Sequence, residues 1–422
     1  MSTRESRGAL PRGVLRVHYA FISLLLAIAT VTLALGLGRF AYTMILPAMR
    51  DGLGLSNTQA GLLATANLAG YMVAAFAGGI LAARLGARLV IGAGSAVVAA
   101  TMILTGAAGS FEAAVALRFL TGLGSAACLV SAMGLLAAWF RPRRRGLATG
   151  GATGGTGIGL VLGGAIVPYA LSSYAPEGWR QAWYFLGGIG LLLGLVVWLF
   201  LRDAPREMGL EPFGPADVER IGKSTGDATS LGGVYRAPAL YYLGAVYAVW
   251  GFSYIIFATF FAAFLAGERG YGAEEAGAMW ATAGVISIAS GVLWGGVSDA
   301  IGRRGGLAIV LSLQALCFLA FSQFAHSAAL WAATALFGLT AWSVPGIMAA
   351  AAGDAVGPRL AAAAVGLITL MFGVGQAAGP WVAGFIADRS GSLQPALLLA
   401  AGGAALGAVM ALGDRGTIAR GN

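Results

Sequence analysis

This chain is a succession of long apolar runs separated by short polar punctuation, and no other feature restricts its fold as much. Runs of about 20 or more mostly apolar residues occupy approximately 20–46, 58–82, 88–108, 113–139, 147–173, 180–201, 237–266, 275–298, 306–324, 328–351, 360–387 and 393–412. About 20 helical residues cross the hydrocarbon core of a bilayer, where each backbone N–H and C=O must find its partner within the segment. The runs are rich in Ala, Leu and Gly and lack the period-two alternation of outer-membrane strands, so each is read as a spanning helix. The first run is too long for the roughly 7–15-residue apolar core of a cleavable signal, and it is expected to be retained. Composition closes the alternatives. Apolar residues make up 58% of the chain, Gly adds 67 more, and only 10% is charged, against about 25% in soluble domains. A soluble fold, a disordered chain, a coiled coil and a disulfide-stapled scaffold are thereby excluded. The expected class is an all-α membrane protein with twelve transmembrane helices.

An even number of spans places both termini on one side. If that side is the cytoplasm, the inner segments hold 20 basic residues and the outer ones 4, with Arg39 and Arg118 left inside runs. That asymmetry follows the positive-inside rule and fixes the expected orientation. It also accounts for the net charge of +9 as loop punctuation rather than a nucleic-acid surface. One long hydrophilic stretch, 203–236, carries mixed charge with Pro and Gly. It divides the chain into an expected six-helix bundle (1–202), a cytoplasmic linker (203–236) and a second six-helix bundle (237–422).

The two bundles read as copies. A gap-free shift of 216 residues superposes Gly61 on Gly277, Gly79 on Gly295, Gly86 on Gly302, Arg88 on Arg304 and Gly122 on Gly338. It also superposes Pro142 on Pro358, Arg143 on Arg359, and Gly157, Gly159 and Gly163 on Gly373, Gly375 and Gly379. The matches gather at span ends, as an internal duplication predicts. Parallel six-helix repeats related by an axis along the membrane normal are the layout of major facilitator transporters. The motifs agree. Gly295-Gly-Val-Ser-Asp299-Ala-Ile-Gly302-Arg303-Arg304 resembles that superfamily's G-x-x-x-D-x-x-G-R-R loop signature. Gly79, Arg84, Gly86 and Arg88 repeat it after the second run, with Ala83 where the acid belongs. Arg118-Phe-Leu-Thr-Gly122-Leu-Gly124 resembles the superfamily's R-x-x-x-G-x-G element. Residues 36–56 resemble the bacterial YbfB/YjiJ-like branch, and 178–185 (GWRQAWYF) the monocarboxylate and oxalate:formate porters. The resemblance implies a secondary transporter in the bacterial inner membrane, acting as a monomer, with the two loop signatures as the conformational gate. In that family the signature's acid bridges helix ends across the domain interface. The expected partner of Asp299 is the start of the fifth span, with its Arg143–Arg145.

Two charges lie within runs, where a charge is costly and normally faces a cavity or a partner. Arg39 precedes Pro47, taken as the end of its span, by eight residues, and Tyr42 and Thr43 lie one turn on. Its repeat mate is Ile255, so the fold does not itself demand a cation there. It reads either as a bidentate clamp on a substrate carboxylate or as a structural Arg bonded to carbonyls. Arg118, whose mate is Thr334, reads either as a substrate or coupling residue or as a tie between the first and fourth spans. Asn67 and Tyr71 share a face, Trp250 and Tyr254 stand in the seventh span, and Gln376 lies in the eleventh. These are candidate cavity residues, with plain helix packing as the competing role. All seventeen acids fall in loops or near span ends. A cavity with two Arg and no acid is positive, so the expected partner is a small organic anion; the porter resemblance implies a monocarboxylate with H+ as the coupling ion, with exchange for a second anion as the alternative. Efflux of amphipathic drugs or metabolites is the alternative within transport, and a transporter-derived sensor the alternative outside it. With two His, two isolated Cys and no P-loop, the sequence offers no catalytic constellation, no metal ligand set and no cofactor site. The Gly154–Gly164 stretch lies inside a span and reads as helix packing, not as a nucleotide loop.

Overall fold

The computed structural model describes residues 18–215, 231–357 and 360–413. Pro358, Arg359 and residues 216–230 of the linker lie outside those residues, as do the basic residues of both tails. The first span runs from Tyr19 to Gly52 as α1 (Tyr19–Val31), a π-helical segment (Thr32–Phe40) and α2 (Tyr42–Gly52). Next come α3 (Asn57–Leu85), α4 (Ala87–Gly106), α5 (Phe111–Trp139), α6 (Pro142–Ser173) and α7 (Gly178–Phe200). A short 3-10 turn (Pro205–Met208) and the one-turn α8 (Leu231–Val234) belong to the connection. After it follow α9 (Pro238–Glu268), α10 (Ala273–Ile301), α11 (Arg303–Gln323), α12 (Ser327–Thr340), α13 (Ser343–Val356), α14 (Ala361–Ser390) and α15 (Gln394–Gly413). Among the described residues eleven helices are long and apolar enough to span a membrane. The twelfth span is α3, in two pieces, Asn57–Ala75 and Gly79–Leu85, inclined by 49°.

Span ends follow local chemistry. Ser56 and Gln59 form a reciprocal capping box at the start of α3, and Ser110 accepts the Ala113 amide at the start of α5. Pro142 and Pro238 open α6 and α9, where a missing N–H costs nothing. Gly86 and Gly302 take φ of +89° and +87°, which is why the loop signatures require glycine between two abutting helices. Two boundaries differ from the sequence reading. The first span continues through Pro47 to Gly52, so Arg39 lies well inside it. The tenth is interrupted at Ala341–Trp342, between α12 and α13. The start of the connection also packs back on the first six spans. Phe213 exchanges backbone hydrogen bonds with Trp139 and Arg141, both at 2.9 Å, and its ring meets Phe21 and Phe140.

The glycines explain how closely the spans approach. A Cβ on Gly36 would lie 2.4 Å from the Gly159 Cα, and one on Gly157 would lie 2.5 Å from the Gly284 oxygen. In lipid, such backbone contact replaces the hydrophobic drive as the source of helix association. The first and last six spans meet along two seams, α3 against α14 and α6 against α10, with α2 also on α9. These contacts are concentrated on the side away from the connection, called here the far side. There Gly61 faces the Pro380 carbonyl, Gly384 the Asn57 carbonyl, and Gly164 the Gly277 carbonyl. Hydrogen bonds across the seam run from Thr43 Oγ1 to the Ala258 carbonyl (2.5 Å) and from Thr65 Oγ1 to the Ala377 carbonyl (2.8 Å). Towards the linker side, Gly146, Gly150, Gly295, Gly296 and Gly366 have no atom within 4 Å of an added Cβ. The two halves are therefore joined on the far side and apart on the linker side.

Candidate functional site

Arg39 comes from the π-helical segment of the first span. A π-helix turns less per residue than an α-helix, so these nine residues re-aim the side chains that follow. The residue is half-buried, and its guanidinium lies over the Tyr71 ring, 4.4 Å from the centroid. Its Nε and Nη2 are buried and carry no hydrogen bond. Tyr71, Tyr254 and Arg118 lie within electrostatic reach of it, and no carboxylate pairs with it among the described residues. Tyr254, from α9, accepts a hydrogen bond from Gln376 Nε2 of α14. The site thus draws Arg39 and Tyr71 from the first six spans and Tyr254 and Gln376 from the last six. A buried planar cation with two free donors fits a carboxylate, whose two oxygens match the fork.

Arg118 stands beside it but is engaged differently. It is 1% exposed, donates from Nη1 to the Gly38 carbonyl at 2.7 Å, and lies over the Tyr42 and Trp183 rings at 4.9 and 5.3 Å. The carbonyl that it holds belongs to the π-helical segment, one residue before Arg39. Asn67 Nδ2 in turn donates to the Arg118 carbonyl at 3.2 Å, leaving Asn67 Oδ1 unpaired. Tyr42 spends its hydroxyl on the Ala60 carbonyl at 2.8 Å, and Trp250 donates its indole N–H to Gln314 Oε1 at 2.7 Å. Of the eight sequence candidates, Arg39, Tyr71, Tyr254 and Gln376 form one group, whereas Tyr42 and Trp250 have their polar atoms satisfied by packing. Trp250 still shapes the wall, as one of four near-parallel rings with Tyr247, Tyr254 and Phe372. Arg39, Tyr42, Asn67 and Arg118 line a cleft that also touches Ile255 and Thr259. It leaves only about 10 Å³ open, room for one water. A carboxylate must move the walls to enter.

The sequence reading missed three residues. Trp342, at the break of the tenth span, packs 5.1 Å from the Phe40 ring and 6.5 Å from Tyr254, with its indole N–H buried and unpaired. An Ala-Trp pair inside an apolar run carries no break signal. Asp203 accepts the Arg88 amide at 2.7 Å at the start of α4, near the position where Ala83 replaces the signature acid. Asp388 bonds the start of α3, although in sequence it is simply an acid at a span end.

The gate residues divide likewise. Arg88 donates from Nε to the Trp198 carbonyl at 3.0 Å and stacks on that indole, whereas Arg84 is exposed. Asp299 does not reach Arg143–Arg145, which corrects the expectation of a bridge between halves. It pairs with Arg303 one turn away, and Arg303 also meets Asp354 at 3.2 Å, all within the last six spans. The physical reason is the separation of the halves on the linker side.

A model of the family described as "Uncharacterised MFS-type transporter YbfB" matches residues 31–412. The chain belongs to that major facilitator family of transporters. Curated relatives match at similar length. The probable sulfoacetate transporter SauU of Cupriavidus necator is 26% identical over 390 residues, 87% of each chain. The hexuronate transporter of Bacillus subtilis is 26% identical over 381 residues, covering 87% of this chain and 88% of that one. A putative tartrate transporter of Agrobacterium vitis is 28% identical over 393 residues, 86% and 83% of the two chains. Among solved structures, a bacterial homolog of the human lysosomal transporter Spinster, inward-facing and unoccupied, aligns with TM-score 0.72 at 20% identity over 95% and 96% of the two chains. A mutant form of the nucleoside transporter NupG aligns with TM-score 0.70 at 16% identity over 92% and 99%. Both share the fold, an all-helical multi-pass transporter.

Proposed function

We propose that this transporter moves a small organic carboxylate across the inner membrane by alternating access of its two six-helix bundles, residues 1–202 and 237–422, with both termini cytoplasmic. The observation that carries the reading is Arg39: a buried guanidinium with two free donors, at the seam between the halves, with no acid to neutralise it among the described residues. An anion from solution completes such a site. Sulfoacetate, hexuronate and tartrate, named for the relatives, share one group, a carboxylate. Arg39 and Tyr71 grip that group, Tyr254 and Gln376 face the rest of the substrate, and Arg118 positions the π-helical segment. With no acid beside the site among the described residues, the coupling proton travels on the substrate or through the Tyr71 and Tyr254 hydroxyls. Linker-side opening corresponds to the inward-facing state.

The test is uptake into proteoliposomes of a panel of monocarboxylates, dicarboxylates and sulfonated acids, with and without an imposed pH gradient. Saturable uptake of at least one carboxylate, accelerated by an inward proton gradient, is expected. Uptake that ignores the gradient but requires internal substrate would establish exchange instead, and uptake confined to cationic amphiphiles would overturn the anion reading.

A further inference from the structure

Asp388 stands in the last turn of α14 and is exposed, yet its carboxylate is bound by the other half of the molecule. Oδ1 accepts the Asn57 amide at 2.8 Å, and Oδ2 accepts the Thr58 amide at 2.8 Å and the Thr58 hydroxyl at 2.5 Å. Those amides are the first two of α3, which have no acceptor within their own helix. A carboxylate there gains charge-assisted hydrogen bonds and the attraction of the positive helix end. The helix does not need this acid in order to start, because Ser56 and Gln59 already supply a capping box. Asp388 therefore adds something that capping alone does not: a bond across the seam. It lies just beyond the contacts of Gly384 with the Asn57 carbonyl and Gly61 with the Pro380 carbonyl, where the far side is shut. Arg50 braces the same corner by donating to Asn57 Oδ1 at 2.9 Å.

The duplication did not impose the bond. The shift of 216 maps Asp388 onto Ser172, and Asn57 and Thr58 onto Ala273 and Glu274. At that second far-side corner Ser172 Oγ bonds its own helix, to the Tyr169 carbonyl, and α10 starts with its own acids, Glu274 and Glu275. On the linker side the signature acid Asp299 has turned onto Arg303 within its own half. One carboxylate is thus engaged across the seam where the molecule is closed, and another is withdrawn into its half where the molecule is open.

We propose that Asp388 is the far-side latch of the transport cycle: its carboxylate clasps the start of α3 while the linker side is open and leaves it when the far side opens. The proposal rests on the alternating-access reading but not on what is carried, so an uptake panel and the experiment below fail independently. Full-length protein lacking Cys128 and Cys317 is spin-labelled at two pairs of repeat mates. Residues 112 and 328 report the far side, and 146 and 362 the linker side, for pulsed dipolar distance measurement. Asp388→Ala and Asp388→Asn should lower the ratio of far-closed to far-open populations about tenfold, lengthening the 112–328 distance and shortening the 146–362 distance. Should Asp388→Ala fail to accumulate, Asn57→Pro against Asn57→Ala isolates the same bond. Both variants lose the Asn57 side chain and its bond from Arg50. Relative to alanine, proline removes the amide donor as well, at a first-turn position that favours it, after a Ser56 already extended at ψ 166°. A shift with proline and none with alanine supports the latch. Distance distributions unchanged in both Asp388 variants, or identical in the two Asn57 variants, would overturn it.

Discussion

At the scale of single residues, the two membrane arginines separate by what their nitrogens touch. Arg118 has a carbonyl to hold and two rings to lie between, so its removal should damage the fold itself. Arg118→Met should lower unfolding stability by about 1–3 kcal/mol, because the Gly38 carbonyl is left buried and unpaired. Thermal unfolding in detergent reads this directly. Arg39 has free donors and only a ring beneath it, so Arg39→Gln should leave thermal stability close to wild type and reduce carboxylate uptake at least tenfold. Arg39→Lys keeps the charge but loses the fork, and it should transport nearly as poorly. Wild-type uptake by Arg39→Gln would remove Arg39 from the site.

At the scale of elements, glycine-to-backbone contact sets which states are reachable. Adding a methyl at Gly61 would place Cβ 2.1 Å from the Pro380 oxygen, in a seam that must close on the far side. Gly61→Ala should therefore hold the far side open and depress transport severalfold while the protein remains folded, as the 112–328 spin pair would record. Gly150→Ala meets nothing within 4 Å in this state and serves as the comparison. Gly36→Ala is different in kind, since its Cβ would lie 2.4 Å from the Gly159 Cα within one half. That substitution should lower thermal stability as well as transport, because the first and fifth spans cannot separate in either state without losing their packing.

At the scale of the whole molecule, the linker-side opening and the excess of basic residues on that side define an orientation that labelling can test. Single cysteines at 230 and 272, in a background without Cys128 and Cys317, should react with impermeant reagents from opposite faces of the membrane. Reaction of position 230 in intact cells would invert the topology and with it the direction in which the structure is open. The same 20-to-4 asymmetry predicts that moving basic residues from the linker side to the far side impairs insertion more than equal changes elsewhere.

Sequence alone determined the spans, their duplication and the two membrane arginines, because hydrocarbon leaves the backbone no choice but helix and makes every buried charge conspicuous. It showed the signature glycines too, since Gly86 and Gly302 occupy backbone conformations that other residues resist. What it did not contain was which polar atoms remain free. Tyr42, Trp250 and Arg118 look like cavity residues in one dimension, and only packing reveals that the Ala60 carbonyl, Gln314 and the Gly38 carbonyl engage the Tyr42 hydroxyl, the Trp250 indole and Arg118 Nη1, with Arg118 Nε left unpaired. The break at Trp342, the inward pairing of Asp299 and the reach of Asp388 to α3 depend on how two bundles meet. Those contacts join residues as far apart as 57 and 388. Local pattern cannot encode a contact between residues so far apart in the chain, because it is set by how the two bundles dock and not by the neighbours along the helix.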